Sequence, residues 1–242
     1  MNELTSRTLA QIVTGNHRTA AVFEKYHLDF CCKGKRSLQQ ACSEQGIAVD
    51  ELLNELEGTT TNNQTAFPFD KLTLTQLADH IVSTHHAYVK TESPQLLAYA
   101  EKVASKHGQR HPELFKIFQL VLAITEEMSL HMHKEEVVLF PRIKELEKLA
   151  GHEHGDIKLS ASYLQAPVTM MEQEHDYAGS LLAEIRKESA DYTPPADACT
   201  TYKLLFASLQ AFEMDLHQHV HLENNILFPK AIALAKELNA RY

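Results

Sequence analysis

The chain of 242 residues is long enough for one large domain or for a medium and a small one. Its hydrophobic content of 44% and charged content of 23% are those of a globular protein, and a net charge of -9 with no basic stripe argues against a protein that grips nucleic acid. No window approaches the roughly 18 apolar residues of a membrane span. No basic start followed by an apolar run opens the chain, and four cysteines make no disulfide framework, so the expectation is a cytoplasmic protein with reduced thiols. Fifteen histidines, many close to a glutamate, are the anomaly.

In chain order, short helical patterns come first: "SRTLAQIV", "TAAVFEKYHL" and "CCKGKRSLQQAC". Gly34 marks a turn, and Ser37 with Gln40 reads as a capping box opening a helix. Residues 1–58 are read as a small helical domain and 59–68 as a linker, because "GTTTNNQTAFP" is polar and lacks apolar periodicity. Four long helical patterns follow, near 72–107, 112–149, 163–189 and 196–238, joined through "HGQRHP", "GHEHGD" and "YTPPAD". This predicts an all-α protein whose residues 69–242 form an antiparallel four-helix bundle, with kinks or breaks near Pro94, Pro141 and Pro229.

The bundle contains a repeat. "HMHKEEVVLFP" at His131–Pro141 returns as "HVHLENNILFP" at His219–Pro229. Residues four apart share a helix face, so His131 stands with Glu135 and His219 with Glu223. Helical steps place Leu120, Ile124, Met128 and Val138 on the first of these faces and Phe212, Leu216 and Ile226 on the second. Both carboxylates therefore belong to the core stripe, where an unpaired charge is costly and a metal ligand is not. A further histidine precedes each motif at nearly equal distance, His86 in one half and His175 in the other. His85 competes with His86, and only the matching spacing prefers the latter.

Folded as a bundle, the halves bring four imidazoles and two carboxylates to one level. Mixed nitrogen and oxygen ligands suit iron, manganese or zinc, two carboxylates able to bridge favour a metal pair, and the histidine-rich balance points to a hemerythrin-like di-iron centre. One His-x3-Glu pair is common on exposed helices; two in register are not. His133 and His221 point about 200° away and are expected at the surface or behind the ligands. His80, His107, His111, His152 and His154 are expected on surfaces or in loops.

Cys31 and Cys32 lie beside Lys33, Lys35 and Arg36 near an expected helix start, which favours thiolates, and adjacent cysteines rarely bond to each other. They are candidates for exchange or transfer. Cys42 and Cys199 read as small apolar residues associated with helices.

"YHLDFCCKGKRSL" together with "HMHKEE", "MEQEHDYAG" and "HVHLENNILFP" resembles the repair of iron centres (RIC) family of di-iron proteins over nearly the whole chain. The resemblance implies a cysteine-bearing N-terminal domain before a hemerythrin-like bundle, and a homodimer. It also implies repair of iron–sulfur clusters damaged by nitric oxide or oxidants, by a non-enzymatic iron donor with damaged iron–sulfur proteins as partners. The metal ligands it implies are His86, His131, Glu135, His175, His219 and Glu223, with both glutamates bridging two irons. It further raises Glu127 and Glu174 as groups lining a path to the centre. The rival expectations are an oxygen-binding or sensing hemerythrin and a di-iron nitric oxide or nitrite reductase; no flavin or nicotinamide fingerprint supports the latter.

Overall fold

The computed structural model describes residues 3–60, 67–151 and 162–240. His152, His154 and most of the expected linker, residues 61–66, lie outside them.

The N-terminal part consists of α1 (Glu3–Ser6), α2 (Leu9–Gly15), α3 (Thr19–Lys25), α4 (Leu38–Gln45) and α5 (Val49–Thr60). Thr8 and Gln11 form a reciprocal capping box that starts α2. The box expected at α4 is only half formed. Ser37 Oγ accepts the Gln40 N–H at 3.2 Å, but the Gln40 side chain turns to Glu44 instead. At Gly34 the chain passes so close that a Cβ would meet the Phe30 carbonyl oxygen at 2.1 Å, so only glycine fits this turn. α5 runs through residues 59 and 60, two positions into the expected linker. Leu9, Ile12, Phe23, Phe30, Leu38 and Leu52 form the core of this part, and Val220 of the bundle joins it.

The bundle has four columns. α6 (Leu74–Ile81) and α7 (Ala87–His107) make the first; α8 (Glu113–Lys134) and α9 (Phe140–Ala150) the second; α10 (Ser162–Glu188) the third; α11 (Thr200–Leu222) and α12 (Phe228–Ala240) the fourth. α8 packs against α7 and α10, α7 against α11, and α12 against α9 and α10, which closes the ring. No strand occurs among the described residues.

Three columns are interrupted by a π-turn, at Val82–His86, Glu135–Leu139 and Glu223–Leu227. In the last two, the N–H of Phe140 reaches Glu135 O and that of Phe228 reaches Glu223 O, an i to i−5 bond. Pro141 and Pro229 follow directly. Each lacks an N–H and would clash with the carbonyl four residues back, and the wider turn moves that carbonyl aside. By contrast α7 continues through Pro94 without a break. The extra residue in the turn shifts the helical phase: Val138, expected in the core, is 42% exposed, and Leu139 takes its place at 1%.

Two apolar clusters fill the bundle. One runs from Val89 through Ile117 and Ile124 to Phe206 and Leu216, the other from Leu77 through Phe140 and Ile143 to Leu227 and Phe228. The last two π-turns begin at the level between them, and there buried polar residues, Glu135, Glu223 and the histidines beside them, interrupt the apolar core.

Candidate metal centre

At that level all six residues expected from the repeat converge, each at 0–1% exposure. His86, Glu135, His219 and Glu223 present ligand atoms within 4.8 Å of one another, and so do His131, Glu135, His175 and Glu223. Both carboxylates belong to both groups. Each group takes one histidine from either half of the repeat, so neither half builds a position alone.

The Nε2 atoms face inward in pairs, His86 to His219 at 3.2 Å and His131 to His175 at 3.0 Å. Two facing nitrogens can share at most one proton. Glu135 Oε2 lies 3.3 Å from His86 Nε2 and 3.4 Å from His131 Nε2, yet neither contact has hydrogen-bond geometry, and both Glu135 oxygens lack a hydrogen-bond partner. Glu223 meets His219 at 3.0 Å and His175 at 3.1 Å. A fully buried Glu135 carboxylate without a hydrogen bond, and a Glu223 carboxylate bonded to His219 through Oε1 but with Oε2 left over, both ringed by inward imidazole nitrogens, fit cation binding far better than a protein-only core.

The electrostatics agree. Burial opposes charge on His131, but the Glu135 and Glu174 carboxylates raise its pKa to about 10. Burial likewise opposes the Glu223 carboxylate, yet the His219 and His175 imidazoles hold its carboxyl well below the usual range. Glu135 is opposed by burial and by Glu223, but the His131 and His86 imidazoles hold its carboxyl below the usual range as well.

Three of the four histidines are oriented from behind. His86 Nδ1 meets Glu136 at 2.8 Å, His131 Nδ1 meets Glu174 at 2.8 Å, and His175 Nδ1 meets Asn224 at 3.0 Å. A partner on Nδ1 fixes the proton there and leaves Nε2 free to bind metal. Glu136 and Asn224 were not anticipated. Their signal is nevertheless in the repeat, since each directly follows one of the two shared glutamates and holds the lone histidine of its own half. Glu174, raised above as a group lining a path, orients His131; that bond and Lys134 pull its carboxyl down to about 2. Glu127 stands partly exposed on α8, outside the cluster.

His85 resolves into a supporting role. Its ring stacks on His219 at 5.6 Å with 5° between planes, and its Nδ1 meets Asp215 at 2.9 Å. It occupies the position before the lone histidine of its half, as Glu174 does in the other, so the two equivalent places are filled differently: the Glu174 carboxylate bonds His131, whereas the His85 ring stacks on His219.

His133 is exposed as expected, but His221 is not. It is 3% exposed, packed against Phe30 at 5.7 Å between ring centres, and burial drives its pKa down to about 4. The N-terminal helices cover a face that would be solvated on an isolated bundle. His133→Ala should therefore leave bound metal unchanged, and His221→Ala should keep the metal while loosening the N-terminal helices. His131→Ala and His219→Ala should each lose metal. Metal per chain together with limited proteolysis separates these outcomes.

The cysteines depart from expectation in three respects. Cys31 and Cys32 sit in a turn between α3 and α4, not at a helix start. The Cys31 thiol is pushed up, first by its contact with Cys32, then by burial and Asp29, so the uncomplexed thiol is favoured over the thiolate. Cys42 is buried as expected, but Cys199 is exposed ahead of α11, with its sulfur 3.2 Å from His107 Nε2.

Four helical columns around two histidine pairs that share two carboxylates define a hemerythrin-type metal-binding bundle. Residues 77–231 match the hemerythrin HHE cation binding domain, and residues 5–60 match a domain of unknown function, DUF542. The iron-sulfur cluster repair protein YtfE of Enterobacter sp. (strain 638) is 34% identical over 93% of this chain and 96% of its own. That of Yersinia pestis (strain Pestoides F) is 32% identical over 94% and 97%. The chain belongs to this family of YtfE-type iron-sulfur cluster repair proteins, built on a hemerythrin domain.

Proposed function

We propose that the bundle holds two irons, bridged by Glu135 and Glu223, and that the protein repairs damaged iron–sulfur clusters by donating iron. One position would use His86 and His219, the other His131 and His175. The observation that carries this reading is the pair of buried carboxylates, each shared between two histidine pairs. When bound, the pair would supply ferrous iron and open coordination positions for small molecules. Four neutral imidazoles and two carboxylates put little negative charge around two dications, so such a cage holds ferrous iron less firmly than a carboxylate-rich one. Glu136, Glu174 and Asn224 keep the inward nitrogens aimed.

An oxygen carrier or sensor would leave the cysteine turn without a task, whereas here Asn225, inside the π-turn of Glu223, donates to the Cys31 carbonyl at 3.0 Å. No helix among the described residues is long and apolar enough to cross a membrane, and a cytoplasmic location is part of the proposal. A homodimer is too; Leu130 and Val137 near the end of α8, with Met170 and Tyr177 on neighbouring α10, are exposed apolar side chains suited to a second copy.

Incubating protein loaded with labelled iron with an enzyme whose [4Fe–4S] cluster has been damaged by nitric oxide tests donation. Label should enter the recovered enzyme as activity returns. Activity without label contradicts donation and favours removal or reduction of nitric oxide.

A further inference from the structure

We propose that Asp29, Cys31 and Cys32 form a third metal site, one that takes a thiolate-seeking divalent cation in transit, separate from the pair in the bundle. The inference rests on the iron-donation reading for its cargo, ferrous iron, but not for its ligands.

The three side chains present ligand atoms within 4.8 Å of one another. The two sulfurs are 3.9 Å apart, and Cys31 Sγ is 3.3 Å from Asp29 Oδ1. A cation with bonds of about 2.3 Å to sulfur and near-tetrahedral angles spaces two thiolates by roughly 3.8 Å, so the sulfurs already stand close to bidentate spacing. The aspartate is fixed as well. Its Oδ1 accepts the backbone N–H groups of Cys31, Cys32 and Lys33 at 3.2, 2.9 and 3.2 Å, which leaves Oδ2 out of that network.

The triad opens on a cavity of about 480 Å³ between the turn and the bundle, whose other wall includes Asp176, Ser180 and His217. Three protein ligands and a solvent-filled space leave the fourth position open, as in zinc sites that exchange ligands rather than purely structural ones. Two sulfurs and one oxygen favour borderline and soft cations such as iron(II), cobalt(II) and zinc(II) over magnesium or calcium. Binding displaces one proton from each thiol to solvent, forms two metal–sulfur bonds and changes no oxidation state.

The site also has a mechanical connection to the bundle centre. Asn225 holds the Cys31 carbonyl, and its neighbour Asn224 holds His175 Nδ1. Both lie in the π-turn Glu223–Leu227, which carries a shared carboxylate. The wall residues Asp176 and His217 flank the ligands His175 and His219 in sequence, so the cavity lies along the outer side of the helices that bear them.

Anaerobic titration of the full-length, metal-free, reduced protein with cobalt(II) tests the site. Three equivalents should bind, one of them producing thiolate-to-cobalt charge-transfer absorption. Cys31→Ser and Cys32→Ser should abolish that absorption and stop at two equivalents, and Asp29→Asn should weaken the third step roughly tenfold or more, the loss typical of a disturbed ligand shell. Cys31 is buried, so the partly exposed Cys32 supplies the variant that leaves the core intact. Saturation at two equivalents without the absorption, or a third equivalent that survives in Cys32→Ser, overturns the proposal. Iron delivery to a damaged cluster without a third equivalent would refute this site and leave the repair reading standing; a third equivalent without delivery would do the reverse.

Discussion

Glu223→Ala should empty both proposed metal positions, and Glu135→Ala should do the same. Each carboxylate stands in both candidate ligand groups, so its loss would take one ligand from each proposed position. His86→Ala, by contrast, strikes only the position it shares with His219 and should leave metal at the position of His131 and His175. The glutamate variants should stay helical, because alanine is the best helix former and the change deletes a buried charge. Iron per chain, measured beside far-ultraviolet circular dichroism, checks this. Equal retention of iron in Glu223→Ala and His86→Ala would mean that the carboxylate is not shared.

Phe30→Ala should have the largest effect on stability. Its ring is 1% exposed and packs on Phe23 at 6.2 Å, on His217 at 6.2 Å and on His221 at 5.7 Å, so it joins the N-terminal core to the ligand-bearing α11. Truncating a buried phenylalanine costs about 3–5 kcal/mol. Urea unfolding followed by circular dichroism should show that loss as an earlier transition of the N-terminal helices, while iron per chain is unchanged under native conditions. Loss of iron with no change in unfolding would instead give the N-terminal helices a direct part in the metal centre.

The six candidate ligands were legible because two signals coincide in them. A helical period of 3.6 puts His131 with Glu135 and His219 with Glu223 on core stripes, and the repeat adds His175 and, by spacing alone, His86. The choice of His86 over His85 depends on the phase of the first column, which the π-turn Val82–His86 sets. Leu-Phe-Pro marked where two of the π-turns lie but not their i to i−5 bonding, so Val138 was placed on the wrong face. The burial of His221 was not legible for a different reason. Its burial comes from Phe30 and Thr14, distant in sequence, and no local period encodes that contact. The Cys31 thiolate expectation failed in the same way, since basic neighbours in sequence count for less than burial beside Cys32 and Asp29 in space.

X-ray absorption at the iron edge of the purified, iron-loaded protein tests the shared-carboxylate centre most directly. The account predicts two irons per chain, first shells of mixed nitrogen and oxygen, and an iron–iron scattering path near the roughly 3.5–4 Å typical of paired metal sites. A single iron per chain, or two irons with no iron–iron path, would contradict it.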